Sequence, residues 1–199
     1  IFNRLAQWVP LSSLGSVLDV GVSSDEKSSA SVHYFEEMFP EKHKLTAFSD
    51  QDASWMEQRY PGLTFIRGDG RVMPFADNSF DLVFSSAVIE HVGSLSQQRA
   101  FLNECCRVSK RYVFLTTPNR WHPIELHTAL PLLHWLPKAA HRKMLSALGY
   151  AYLSQESTLN LLGRRDIEQF CKDIGLSQYS VATVNFLGLP SNLLLMASV

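Results

Sequence analysis

Cysteine is scarce in this chain: Cys105, Cys106 and Cys171 are the only three in 199 residues, and the first two are adjacent. An odd count without metal-site spacing excludes a paired disulfide framework. It leaves reduced thiols in helices of a cytoplasmic protein. Charge of one sign is also lacking. The net charge is −1, which removes the electrostatic basis for binding nucleic acid. Long apolar runs are missing too, because polar or charged residues interrupt them before they could span a bilayer. No secretory signal is recognisable. The chain begins at Ile1 rather than Met, which is compatible with an upstream piece. Repeats and low-complexity segments are absent. What remains is a composition of 46% hydrophobic and 19% charged residues, suited to one domain over 1–199 with a sizeable core.

Short apolar segments alternate with helical ones. Residues 16–21, 45–48, 63–67, 80–84 and 112–116 are nearly all apolar, as strands buried on both faces are. Between them, residues 28–38 space Val32, Phe35 and Met38 three apart. Residues 52–60 predict a helix opening at Asp52 and stopping at Pro61-Gly62. Residues 96–108 place Phe101, Leu102, Cys105 and Val108 on one helix face, and Trp8, Val9 and Leu11 suit a short lead-in helix or arm. A last helix covers 163–176 and ends at Gly175. Strands at 178–187 and 191–198, joined at Gly188-Leu189-Pro190, are close enough for an antiparallel pair. The pattern predicts an α/β fold with a doubly wound, Rossmann-like sheet.

Ligands of such sheets bind beyond the carboxyl ends of the strands. The polar residues at those ends are Asp19 and Gly21, Ser49 and Asp50, Asp69 and Gly70, Ser85 and Ser86, and Thr117 and Asn119. Gly21 lets a ligand approach the backbone without a Cβ in the way. A carboxylate at Asp50 can accept from two hydroxyls at once. Asp52 offers the same chemistry unless it caps the helix. In Gly68-Asp69-Gly70, an Asp can accept an exocyclic amino hydrogen while the next backbone N–H reaches a ring nitrogen, and Val72 and Met73 can cover the ring. Glu90 and His91 follow the fourth strand. They suit acid/base chemistry near neutral pH, and equally the hydrogen bonding of a helix start.

Together these segments resemble the class I S-adenosylmethionine (SAM) methyltransferases of the UbiE-like, small-molecule type, well over 16–119 and by topology beyond. The resemblance implies SAM as cofactor and a seven-stranded sheet of order 3-2-1-4-5-7-6, with strand 7 antiparallel and an insertion after strand 5. It implies Asp19, Gly21, Ser49, Asp50, Asp69, Gly70, Ser85 and Ser86 as cofactor-binding residues. The sequence departs from the family pattern at Ser23, where a second glycine is expected.

Residues 120–163 exceed a simple connection and predict a lid or substrate insertion. His122, Glu125 and His127 fall within six residues, but their spacing matches no standard zinc motif and Pro123 interrupts a regular helix, so no metal is expected there. His91, His122 and His127 are the candidate general bases. The apolar run 130–137, followed by Lys138, Arg142 and Lys143, fits three roles: a lid over a hydrophobic acceptor, peripheral membrane contact through 130–143, or plain packing. The expected function is in-line methyl transfer from SAM to a small-molecule or lipid-like acceptor. The degenerate first motif keeps open a SAM-binding domain without catalysis. A nicotinamide-dependent dehydrogenase requires a full Gly-x-Gly-x-x-Gly, which Gly21-Val22-Ser23-Ser24-Asp25-Glu26 lacks.

Overall fold

The computed structural model describes residues 1–27 and 33–199. One sheet is formed by β1 (Val17–Val20), β2 (Leu45–Ser49), β3 (Thr64–Arg67), β4 (Phe80–Ser86), β5 (Ser109–Pro118), β6 (Gln178–Phe186) and β7 (Leu189–Ser198). Their spatial order is β3-β2-β1-β4-β5-β7-β6. The first five strands pair in parallel, and β7 is antiparallel to both β5 and β6. The helices are α1 (Phe2–Trp8), α2 (Tyr34–Met38), α3 (Met56–Arg59), α4 (Leu95–Val108), α5 (Lys138–Ala147) and α6 (Arg164–Asp173).

Side chains alternate across a strand, so a central strand feeds two cores. Leu18 and Val20 of β1 face one way, onto Phe101, Leu102 and Cys105 of α4 and Ile167 of α6. Val17 faces the other way, among Leu5 of α1, Phe35 of α2 and Met56 of α3. An aromatic stack holds that second face: Phe35 lies on Phe84 at 3.9 Å between centroids and 7° between planes. Phe84 in turn stacks at 5.9 Å on Phe114. Asp19 is buried on β1 beside these apolar layers.

Several boundaries differ from the sequence reading. Residues 28–32, including Val32, lie outside the described residues. The described part of that helix buries Phe35 and leaves Met38 49% exposed, so Met38 is not part of an inward face. Helix α3 begins at Met56 rather than Asp52. The Asp52 carboxylate instead accepts from the Ser54 backbone N–H at 3.0 Å, a local turn that competes with helix. Helix α4 opens on a reciprocal capping box between Ser94 and Gln97. Pro190 belongs to β7, near its first residues, where a missing N–H is tolerated, and the hairpin turns at Leu187 and Gly188, both at positive φ. After β5 the insertion carries α5 and returns through a bridge between Asn119 and Leu162. Among the described residues no helix is long and apolar enough to cross a membrane.

Candidate active site

A cleft of about 620 Å³ opens at the carboxyl ends of β1, β2, β3 and β4. Its floor is backbone brought unusually close to other chain segments. Gly21 sits at φ +89°, and a Cβ there would lie 2.3 Å from a Val88 methyl. Its N–H donates to the Phe48 carbonyl at 2.7 Å, fixing the first loop on the end of β2. A Cβ at Gly70 would meet the Phe101 ring at 2.7 Å. Ser23 also lines the cleft, and its hydroxyl accepts from the Asp25 N–H at 3.2 Å.

Asp50 and Asp69 are exposed carboxylates on the cleft wall. The Asp50 carbonyl accepts from Arg67 Nε at 2.9 Å, which sets the path of the second loop. Asp69 is held by Arg71: Nε lies 2.9 and 3.0 Å from its two oxygens, and Nη2 lies 2.6 Å from Oδ2. The Arg71 guanidinium holds the Asp69 carboxyl below its usual range.

Around His91, at one end of the cleft, titratable groups from two distant parts of the chain gather. His91, on a short 3₁₀ turn after β4, lines the cleft and is partly exposed. Its Nδ1 lies 2.6 Å from the Thr158 carbonyl. A carbonyl only accepts, so Nδ1 carries the proton and the neutral ring keeps its lone pair on Nε2. His127 approaches from the insertion, its ring edge-on to His91 at 5.0 Å and 87°. His127 Nδ1 lies 2.6 Å from Glu125 Oε1. Burial pushes the Glu125 carboxyl up, but hydrogen bonds from His127 and Thr128 outweigh it and hold it down at about 2. Burial lowers the His127 pKa, and the Glu125 carboxylate more than offsets this, leaving it above the ordinary value. Glu90 is fully buried beside the pair. Thr117 Oγ1 donates to its Oε2 at 2.9 Å, while Oε1 is buried without a partner, 4.0 Å from His91 Nε2. Burial raises the Glu90 pKa.

Residues 18–115 match the family model described as "Methyltransferase domain". The chain thus carries a methyltransferase domain over just under half of its length and is similar to the class I SAM-dependent methyltransferases. It is 31% identical over 134 residues to the demethylmenaquinone methyltransferase of Renibacterium salmoninarum, covering 65% of this chain and 54% of that protein. To the enzyme of the same name from Paenarthrobacter aurescens it is 32% identical over 104 residues, 50% of this chain and 40% of that one. The chain therefore spans about half the length of the curated relatives it matches. A SAM-dependent methyltransferase structure from Aquifex aeolicus superposes with a TM-score of 0.60 at 16% identity, covering 92% of this chain and 81% of that one. That likeness is one of fold. SAM is the cofactor of this family.

Within this methyltransferase fold, the residues singled out from sequence divide into two groups. Gly21, Ser49, Asp50, Asp69, Gly70 and His91 line the cleft. Asp52 does not, and its carboxylate serves the Ser54 turn. Asp19, Ser85 and Ser86 also lie off the wall. Burial, then the charge of Glu36, push the Asp19 carboxyl well above the usual range. Ser85 Oγ donates to the Val20 carbonyl at 2.9 Å and ties β4 to the end of β1. Ser86 Oγ accepts from the Tyr34 hydroxyl at 3.2 Å and lies 2.9 Å from Thr116 Oγ1. Strand alternation turns both serines into the layers beside the sheet rather than toward its end.

His122 is not brought to His91 and His127. It is buried, with Nδ1 2.8 Å from the Ile124 carbonyl, and its ring packs near Phe186. Sequence reading also missed the part of the insertion that reaches the cleft. That part is Tyr152, Leu153, Ser157 and Thr158, not the 130–137 run. The only sequence signal was a polar, turn-rich stretch after α5. Leu132, Trp135, Leu136 and Met144 are instead exposed on the insertion, away from the cleft lining.

Proposed function

We propose that this chain transfers the methyl group of SAM to a small, lipid-like acceptor that enters beside His91 and His127. The observation that carries this reading is a cleft, in a methyltransferase fold, that runs from Gly21 and Asp69 to His91, against which the His127 ring packs edge-on. In this reading the adenine lies at Asp69 and Gly70, the ribose hydroxyls at Asp50, and the amino-acid end of SAM by Gly21 and Ser23. In-line attack by an electron pair of the acceptor on the methyl carbon would break the carbon–sulfur bond and release sulfur as a neutral thioether, and an acceptor atom that carried a hydrogen would lose it as a proton. The sulfonium already makes the methyl reactive, so the chain mainly orients the two partners and excludes water. Deprotonation of an acceptor hydroxyl falls to the His91–His127 end. The names of both sequence relatives point to a demethylated menaquinone, which makes a quinol lipid the first acceptor to try. The exposed Trp135, Leu136 and Met144, with Arg142 and Lys143 nearby, supply a surface on which such an acceptor's membrane could dock.

Calorimetry with SAM, followed by incubation with methyl-labelled SAM and demethylmenaquinol, tests the reading. Saturable binding and label in the extracted lipid are expected. Absence of SAM binding refutes it. Binding without transfer to this or other pooled acceptors favours a SAM-binding domain without catalysis, the alternative that Ser23 and the Asp69–Arg71 pair speak for.

A further inference from the structure

We infer that Glu90, His91 and His127 form a site for one divalent first-row transition-metal ion at the acceptor end of the cleft. One ligand atom from each of the three lies within 4.8 Å of the others. A point within about 2.8 Å of all three such atoms exists, so shifts of roughly 0.7 Å reach the ~2.1 Å of a zinc–imidazole bond.

The hydrogen bonding around the cluster favours a cation over a chance meeting of side chains. Each of the three residues has one atom committed to an outer partner and one atom left over. His91 gives its Nδ1 proton to the Thr158 carbonyl at 2.6 Å. His127 gives its own to the Glu125 carboxylate at 2.6 Å. Glu90 commits Oε2 to Thr117 at 2.9 Å. What remains is two Nε2 lone pairs and the buried, unpartnered Glu90 Oε1. Glu90 Oε1 lies 4.0 Å from His91 Nε2, and a cation between them would give the buried carboxylate oxygen the partner it lacks. Metal-bound histidines characteristically donate their second ring N–H to a carbonyl or carboxylate in this way, which fixes the tautomer and aims the ligand nitrogen. Two imidazoles and one carboxylate suit zinc, manganese, iron or cobalt rather than magnesium or calcium, which prefer all-oxygen sets. Three protein ligands leave further positions open to the cleft.

The site deepens the methyltransferase reading and rests on it only for its role. A cation there would bind an acceptor hydroxyl oxygen and lower its pKa, so that the proton is lost to solvent and the oxyanion makes the attacking atom more nucleophilic, whether the oxygen itself or, in a quinol, a ring carbon, which then gives up its own hydrogen as a proton. His91 and His127 then act through the metal, not as free bases.

The purified chain, stripped with a chelator, is titrated with Zn²⁺ and with Co²⁺. One equivalent is expected to bind, with visible Co²⁺ absorption that Zn²⁺ abolishes. His127→Ala and Glu90→Gln should weaken binding at least tenfold, and Glu125→Gln about tenfold through the outer partner. His43→Ala should leave it unchanged. No stoichiometric binding, or binding that these ligand variants do not alter, overturns the site. Because Glu90 is fully buried and its replacement can unfold the chain, the wild-type protein loaded with Cu²⁺ gives an independent readout. Electron paramagnetic resonance should show coupling to two nitrogens, and coupling to none overturns the site. SAM titration of the same samples separates the two readings. Metal binding without SAM binding removes the methyltransferase reading and leaves the metal site standing, and SAM binding without metal binding does the reverse.

Discussion

Arg71 grips Asp69 with both Nε and Nη2, at 2.6 to 3.0 Å, on the wall of the cleft where the adenine is proposed to lie. Both side chains are nearly half exposed, so the pair is worth no more than about 1 kcal/mol and can open for a ligand. Asp69→Ala should weaken SAM binding roughly 10- to 100-fold, the loss of a charge-assisted hydrogen bond, with the fold intact. Arg71→Ala should change it less than about 5-fold, and toward tighter binding, because the carboxylate is released. Calorimetry on both variants checks this. Unchanged affinity in Asp69→Ala removes the adenine assignment.

Gly21→Ala tests the close approach after β1. Its φ of +89° and the 2.3 Å meeting with Val88 act together. The backbone conformation alone costs on the order of 1–3 kcal/mol in a residue with a Cβ. We expect a clear fall in melting temperature. In the double variant Gly21→Ala/Val88→Ala the steric part should return and the backbone part persist. Full recovery in the double variant would show that φ carries no strain at this position.

Stability should depend on pH through the buried pair Asp19 and Glu36. Burial raises the Glu36 carboxyl, as it does that of Asp19. The folded-state pKa thus lies above the unfolded one. The associated stability is fully present below the unfolded carboxylate pKa near 4.5 and is lost as pH rises through the folded value. Neighbouring His33 Nδ1, 3.9 Å away, offsets only part of this. Glu36→Gln should therefore melt close to wild type at pH 4 and higher than wild type at pH 8. Equal melting shifts at both pH values would contradict the assignment.

His122 and His127 should separate cleanly. His122→Ala removes a buried ring that bonds the Ile124 carbonyl at 2.8 Å, and it should cost about 1–3 kcal/mol of stability with SAM affinity unchanged. His127→Ala, at the cleft end, should melt near wild type and lose methyl transfer. Thermal melts and a turnover assay on the pair read both effects. A fall in turnover for His122→Ala without loss of stability would return that residue to the site.

Much of the fold was legible because its signals are local or periodic. Near-continuous apolar strands such as Leu82-Val83-Phe84 announce a sheet covered on both faces, and the spacing of Phe101, Leu102, Cys105 and Val108 marks one face of a helix. The cleft wall was legible for the same reason. Gly21 and Asp50 follow β1 and β2 directly, Asp69 and Gly70 lie two and three residues past β3, and the sheet delivers the carboxyl ends of its parallel strands to one edge.

The acceptor end was decided by tertiary structure alone. Glu90 and His91 stand 37 and 36 residues before His127 in the sequence, and no periodicity links them. The insertion's path past Thr158 and Glu125 sets both ring tautomers and leaves Glu90 Oε1 unpartnered. His122 has the same chemistry as His127 but is turned into the packing of its own loop. Residue type fixed what each of these side chains can do. Which of them meet, and which proton each one holds, followed from distances that a linear pattern does not contain.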